Sequence, residues 1–350
     1  NGQLKDARGV FDMLHSRNVV TWGAMISGYV RNGEAHVGLK LFQIMQGEGL
    51  SPSNFTFSCV LKACGITGAI HEGKLLHCEI MRQNLEDDVV IGSTLIGMYL
   101  DCGSMEDAKR VFDRLENHDI ISWGVMMSGY AANGYAHHAF DLFKQLQYST
   151  LKPNIMIYLP MLQASGSMQS ARMGRLIHHE VTERGLESLL NVKNTLIDMY
   201  AKCGCLQEAC DVFEQLPERD LVSWGALIDG YAQNGQGHAA LKSYINMLHG
   251  DVTSPNEVVF LGVLKACGNI GAIMYGMLTH VQILERDLES NVSIGSALVD
   301  MYTKCKSLGE AYHVFIRLRD RNIVSWGAMI AGLSQCDQEL DAFQLFNEMV

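Results

Sequence analysis

Only five prolines interrupt the 350 residues, so helices can run unbroken. No apolar run reaches the roughly 18 residues that a membrane-spanning helix needs. The ten cysteines include no CxxC pair, which removes the usual spacing of zinc and dithiol redox sites. Walker, Rossmann and nucleophile-elbow patterns are missing. His178-His179-Glu180 contains the HxE of a zinc deaminase, but no PCxxC follows it. An enzyme would have no residues to stand on, and no metal or other cofactor is expected. Basic residues are also in deficit. The 27 Lys and Arg against 38 Asp and Glu leave a formal charge of −11, which counts against a bulk electrostatic grip on nucleic acid. No signal or transit segment opens the chain. It begins at Asn1-Gly2-Gln3-Leu4, in the middle of a repeat, and stops at Met349-Val350 inside a helical pattern. The chain is therefore expected to be a piece of a longer protein.

What the chain does contain is a period. All four tryptophans occupy one motif, at Trp22, Trp123, Trp224 and Trp326, spaced 101, 101 and 102 residues apart. Each period divides in three. Asn54 to Gly65 recurs as Glu257 to Gly268, and Thr94 to Tyr99 recurs at Thr195 to Tyr200 and Ala297 to Tyr302. The resulting units are 19–53, 54–88, 89–119, 120–154, 155–189, 190–220, 221–256, 257–291 and 292–322, with partial units 1–18 and 323–350. Repeats of this length point to one array rather than to separate domains. Within a unit, Trp22, Met25, Ile26 and Tyr29 follow helical i, i+3, i+4, i+7 spacing. Asn32-Gly33 then breaks the helix, and Val37, Leu41, Ile44 and Met45 form a second apolar face. Neither helix buries its face alone, so neighbouring hairpins must stack. The fold expected is all-α, a right-handed solenoid of helix-turn-helix repeats. The tryptophans share register with Leu and Met and belong in its core. Cys64 and Cys267 share one register and Cys102, Cys203 and Cys305 another, the pattern of small buried residues in a reducing compartment.

These residues resemble the plant PLS-class pentatricopeptide repeat proteins across essentially the whole chain. Ile121 to Tyr130 looks like the P motif. Leu61 to Gly65 with Gly73 to His77 looks like the L motif, and Asp198 to Gly204 with Glu208-Ala209 and Val212-Phe213 looks like the S motif. On that resemblance the units order as P, L, S three times, between a partial S unit (1–18) and a partial P unit (323–350). The resemblance implies sequence-specific binding of single-stranded RNA in a mitochondrion or chloroplast, guiding C-to-U editing. Each repeat would read one base through its fifth and last residues. The second residue would wedge between bases, and the chain would run N to C along RNA 5′ to 3′. It implies further partners: multiple organellar RNA editing factors on the L motifs, and a deaminase domain in cis or in trans. A membrane is not among them.

The chemistry of the fifth and last positions is edge complementarity. An ionised Asp only accepts, which suits the N–H edges of U or G, whereas Asn donates or accepts. In the S units, Ser93 with Asp119 should favour G, Asn194 with Asp220 should favour U, and Ser296 with Asn322 should favour A. The same residue types cap helix starts, which is the competing reading of each. The P units depart from the family's pattern, with Gly23, Gly124, Gly225 and Gly327 at the fifth position. They should read weakly, through Ser53, Asn154 and Asn256 alone. Among L units, Ser58 with Asp88 is polar, while Leu159 with Leu189 and Leu261 with Asn291 offer little. Wedge candidates are Val20, Val90, Ile121, Val222 and Val324, with ordinary interhelix packing as the alternative. Arg31, Lys202 and Lys304 share a register late in the first helix, suited to phosphate contact or to a solvated helix end. A peptide-binding scaffold of tetratricopeptide type remains the rival function, favoured by the acidic balance.

Overall fold

An Asn, Asp or Ser precedes the first helix of nearly every hairpin, and its side chain accepts a backbone N–H from that helix's first turn. Asn18 takes Thr21 N at 3.0 Å, Asp119 takes Ser122 N at 2.7 Å, Asp220 takes Ser223 N at 2.8 Å and Asn322 takes Ser325 N at 2.8 Å. Each cap satisfies one of the donors that a helix start leaves unpaired, at about 1 kcal/mol apiece. The computed structural model of the chain describes residues 2–250 and 254–349. Asn1, residues 251–253 of the 221–256 unit and Val350 lie outside the described residues. Among those described there are α-helices, one short 3-10 turn (Leu186–Ser188) and no strand.

The chain forms two compact units, 1–164 and 165–350. The first holds α1 (Gly2–Met13), α2 (Val19–Arg31), α3 (Ala35–Gly47), α4 (Asn54–Thr67), α5 (Ile70–Arg82), α6 (Val89–Asp101), α7 (Met105–Arg114), α8 (Ile120–Ala132), α9 (Ala136–Gln147) and most of α10 (Ile155–Ser167). There α2, α4, α6 and α8 pack side by side in a row, and each packs against its own second helix. The second unit holds α11 (Ala171–Glu183), α12 (Leu190–Lys202), α13 (Leu206–Glu214), α14 (Leu221–Gln233), α15 (Gly237–His249), α16 (Glu257–Ile270), α17 (Ile273–Leu284), α18 (Val292–Lys304), α19 (Leu308–Arg317), α20 (Ile323–Gln335) and α21 (Glu339–Met349). Its row is α12, α14, α16, α18 and α20. No helix among the described residues is long and apolar enough to cross a membrane.

The tryptophans anchor the hairpins that begin at α2, α8, α14 and α20. Trp22, Trp123 and Trp224 are buried and Trp326 is partly so. Each meets a phenylalanine of the preceding helix edge-on: Phe11, Phe112, Phe213 and Phe315, at 4.8, 5.0, 4.7 and 4.9 Å between ring centroids. A cation closes the cluster in three of the four. Arg17, Arg219 and Arg321 lie 4.8, 4.9 and 4.8 Å from those phenylalanine rings, and His118 stacks there in the remaining one. Quadrupole attraction favours both geometries. Burial pushes the Cys64 and Cys267 thiols up to about 12, as expected of small core residues rather than reactive ones.

The first helices end where the backbone turns left-handed. Gly33, Gly103, Gly134, Gly204 and Gly235 take φ of 82°, 74°, 80°, 73° and 74°. Gln169 (φ 51°) and Lys306 (φ 61°) occupy the same turn without being glycine. A side chain in this region costs about 1–2 kcal/mol, of which glycine's extra unfolded-state freedom recovers only part. Gln169→Gly and Lys306→Gly should therefore each stabilise the fold by about 0.5–1 kcal/mol. Urea titrations measure this, and a lowered midpoint for both variants would refute the strain argument.

Candidate nucleic-acid interface

Side-by-side packing of the first helices places the fifth residue of one beside the cap residue of the next. In the second unit, Asn194 on α12 directs Nδ2 at the carboxylate of Asp220, 3.3 Å from Oδ1 and 3.4 Å from Oδ2. Ser296 on α18 donates to Val292 O at 2.7 Å, with Asn322 Oδ1 at 3.1 Å in reach of the same hydroxyl. In the first unit, the Ser93 hydroxyl turns back to Val89 O at 2.7 Å, while Asp119 caps α8. Two residues 26 positions apart thus meet through interhelix packing, because the intervening helix returns the chain to the same end of the row.

The cap reading and the recognition reading coincide at the last positions and part at the fifth. Every polar last-position residue singled out from the sequence is a cap. Ser53 accepts Thr56 N at 3.2 Å, Asn154 accepts Met156 N at 3.0 Å, and Asn256 accepts Val259 N at 3.1 Å. Asp88 uses one oxygen on Val90 N and Ile91 N, at 2.9 and 3.0 Å, and the other on Asn54 Nδ2 at 2.9 Å. The fifth residues do not cap. Ser93, Asn194 and Ser296 are buried, at 8%, 8% and 3% exposure. Two fifth-position atoms, Asn194 Oδ1 and Ser58 Oγ, are buried without a hydrogen-bond partner. An unmet buried acceptor costs about 1–3 kcal/mol, a cost the fold carries at Asn194 Oδ1.

The second-position residues keep about half or more of their surface open to solvent. Val20, Val90, Ile121, Val222 and Val324 are 75%, 67%, 45%, 58% and 58% exposed. Three further residues share this register, and sequence reasoning missed them: Phe55, Met156 and Val258, at 53%, 44% and 53% exposure. The signal was present, since they stand at the second position of the units beginning at 54, 155 and 257. They also explain the fifth-position glycines. A Cβ on Gly23 would lie 3.2 Å from Phe55, one on Gly124 would lie 3.5 Å from Met156 Cβ, and one on Gly225 would lie 3.3 Å from Val258. At Gly23 and Gly225 the next unit's second residue leaves little room for a fifth side chain, whereas at Gly124 a Cβ would make ordinary contact. Gly327 has open space instead.

The basic candidates are placed less favourably. Lys202 and Lys304 pair with Asp198 and Asp300 one turn earlier on their own helices, at 2.6 and 2.7 Å. Arg31 is exposed at the end of α2. Nearby, burial pushes the Asp229 carboxyl up despite Lys265 at 4.0 Å. Removing the competing carboxylates should free the two lysines for phosphate. Asp198→Asn with Asp300→Asn is expected to steepen the slope of log affinity against log salt by roughly 0.7 per lysine released. A salt titration of single-stranded RNA binding reads this, and an unchanged slope would show that neither lysine meets a phosphate.

The His/Glu register is structural. His77, His178 and His280 place Nδ1 at 2.8, 2.8 and 2.9 Å from the hydroxyls of Tyr99, Tyr200 and Tyr302. Burial pushes those tyrosines up to about 12, so they stay protonated and bridge second helix to next first helix. Among the described residues no group of three or more His, Cys, Asp or Glu could hold a metal ion.

Rows of helical hairpins with a repeated cap-and-fifth-residue pair define an α-helical repeat protein. The chain belongs to the pentatricopeptide repeat family. The PPR repeat family profile matches residues 17–65, and the PPR repeat profile matches 93–120, 121–149, 193–221, 222–251 and 324–350. A chloroplastic pentatricopeptide repeat-containing protein of Arabidopsis thaliana is 32% identical over 99% of this chain and 43% of its own length. A mitochondrial one is 33% identical over 100% of this chain and 51% of its own length. The chain thus spans about half the length of these relatives. In fold it is similar to the crystal structure of the pentatricopeptide repeat protein PPR10 from maize, with a TM-score of 0.50 at 15% identity, over 95% of this chain and 59% of that one.

Proposed function

We propose that this chain binds single-stranded RNA in a sequence-specific manner, as a PLS-type array that supplies target recognition for organellar C-to-U editing. The observation that carries the proposal is Asn194. Its Nδ2 is held against Asp220, and its Oδ1 is buried without a partner. The amide of Asn194 keeps a second N–H, and the carboxylate of Asp220 keeps acceptor lone pairs, chemistry that complements the O4 and N3–H of uracil. The exposed apolar residues at the second positions supply surfaces for base faces. Names of relatives as chloroplastic or mitochondrial support an organellar site of action. In this reading the three S units read G, U and A, with two loosely read bases between them. Their fifth and last residues are Ser93 and Asp119, Asn194 and Asp220, and Ser296 and Asn322. The L units offer their second helices to editing-factor proteins, and the deaminase acts in cis or in trans from outside residues 1–350.

A peptide-binding scaffold is favoured by one observation, the internal pairing of Lys202 and Lys304 in an already acidic chain. Filter binding of randomised single-stranded RNA, run beside a peptide array, separates the two. Recovery of RNA enriched for U at one register supports the proposal. Peptide binding with no RNA retained would replace it.

A further inference from the structure

Two neighbouring units, 54–88 and 89–119, carry the same fifth and last residues, Ser58 with Asp88 and Ser93 with Asp119. Edge complementarity alone would give both units the same base. We infer that Asn54, the first residue of its unit, is a specificity-determining residue that silences the Ser58 and Asp88 pair by holding the carboxylate of Asp88. This inference rests on the RNA reading above, and it concerns a residue outside the fifth and last positions.

Three observations carry it. First, the carboxylate of Asp88 is nearly saturated. Its Oδ1 accepts Val90 N and Ile91 N, at 2.9 and 3.0 Å, and its Oδ2 accepts Asn54 Nδ2 at 2.9 Å. A carboxylate has roughly four acceptor sites, so three are filled before any base arrives. At Asp119 the cap bond from Ser122 N, at 2.7 Å, fills one among the described residues. The N–H edge of G seeks the acceptor that Asn54 occupies. At Asp88 a base must therefore displace a charge-assisted hydrogen bond to gain another, and the exchange cancels most of the difference between bases. At Asp119 the same base displaces only solvent.

Second, packing uncouples the fifth residue from the last one here. Asn194 reaches Asp220 and Ser296 reaches Asn322 from the fifth position, at 3.3 and 3.1 Å. At Asp88 the hydrogen bond comes from the first position instead, while Ser58 Oγ is buried without a partner. Asn54 opens α4, Asp88 caps α6, and the two helices are neighbours in the row.

Third, the donor is peculiar to this unit. Of the other residues that open units from 19 onward, eight are Val, Ile or Leu and one is Glu257, so none of their side chains donates at neutral pH. Val89 stands at this position in the unit with the matching Ser and Asp. Asn54 is exposed, and the cap of α4 is made by Ser53 through Thr56 N.

The test replaces Asn54 with the valine that the next unit carries. Unit 54–88 meets the nucleotide immediately 5′ of the G read by Ser93 and Asp119. Single-stranded RNAs with each of the four bases at that nucleotide are titrated against wild type, Asn54→Val, and Asn54→Val combined with Asp88→Asn. Wild type should bind the four within about threefold. Asn54→Val should prefer G by about tenfold or more, the scale of a hydrogen bond to a charged acceptor. The double variant should lose that preference, since Asn keeps the cap but no longer presents an acceptor-only edge. Asn54→Ala should act as Asn54→Val does. Because Asn54 is exposed, the melting temperature should hold in both, which separates release of Asp88 from unfolding. A wild type that already prefers G tenfold at this nucleotide would overturn the inference, and so would an Asn54→Val chain that binds all four bases alike. The G read by Ser93 and Asp119 is scored in the same RNAs. Where it is read and its 5′ neighbour does not respond to Asn54→Val, the inference fails and the RNA reading stands. A chain that reads neither nucleotide would sink both.

Discussion

Trp224→Ala should lower the unfolding free energy of its hairpin by about 3–5 kcal/mol, the usual cost of removing a large buried aromatic. The indole is 9% exposed and meets Phe213 edge-on at 4.7 Å, with Arg219 4.9 Å from the Phe213 ring. Its loss removes buried area, an edge-to-face contact and one wall of a cation site together. The effect should be local first. In a repeat array each hairpin leans only on its neighbours, so α13 and α14 should lose amide protection before the rest. Trp326, which is only partly buried, should cost less on the same substitution. Guanidinium titration and hydrogen exchange measure both. A shift under about 1 kcal/mol at Trp224 would mean that the indole is not part of the core.

The second large effect is on specificity. Asp220→Asn should relax the U register towards C, because the new amide can donate to N3 of cytosine. Asn194→Ser with Asp220 kept should shift it towards G. Each mismatch leaves a polar group desolvated and unpaired, at about 1–3 kcal/mol, or roughly five- to 150-fold in affinity. Both substitutions have structural costs that must be separated from reading. Asp220 caps α14 through Ser223 N at 2.8 Å, but Asn caps as well as Asp, so Asp220→Asn isolates the recognition effect. Asn194→Ser removes the hydrogen bond to Asp220 and also an unsatisfied buried acceptor, so its stability change should be small. Randomised RNA selection on wild type and both variants gives the answer. An enriched base that ignores both residues would end the edge-reading account at this site.

The fold was legible because its signals are local. Helical spacing at Trp22, Met25, Ile26 and Tyr29, the Asn-Gly and Cys-Gly breaks, and the Asp and Asn before each first helix act within a few residues of one another. The exceptions are local too. Gln169 and Lys306 fill a left-handed turn that the glycine rule would assign elsewhere, and the backbone bonds from Ser170 N to Ser165 O and from Ser307 N to Tyr302 O close those turns.

The candidate interface was legible only in part. The resemblance to the family paired Asn194 with Asp220 and Ser296 with Asn322, and repeats of fixed length return the chain to the same end of the row. Register could not say which way a second-position valine faces, since Val20 and Leu41 look alike in composition and differ in exposure, at 75% and 2%. Nor could it show that Lys202 and Lys304 are occupied by Asp198 and Asp300, because an i, i+4 pair and a free lysine carry the same spacing until rotamers are fixed.

The sequence by itself determined that this is a helical-hairpin repeat chain, since periodicity, caps and breaks are written in neighbouring residues. Only the tertiary structure decided what the fifth-position glycines do. Gly23 and Gly225 lie tight against Phe55 and Val258 of the next hairpin, more than thirty residues away in sequence and in contact only once the helices have packed.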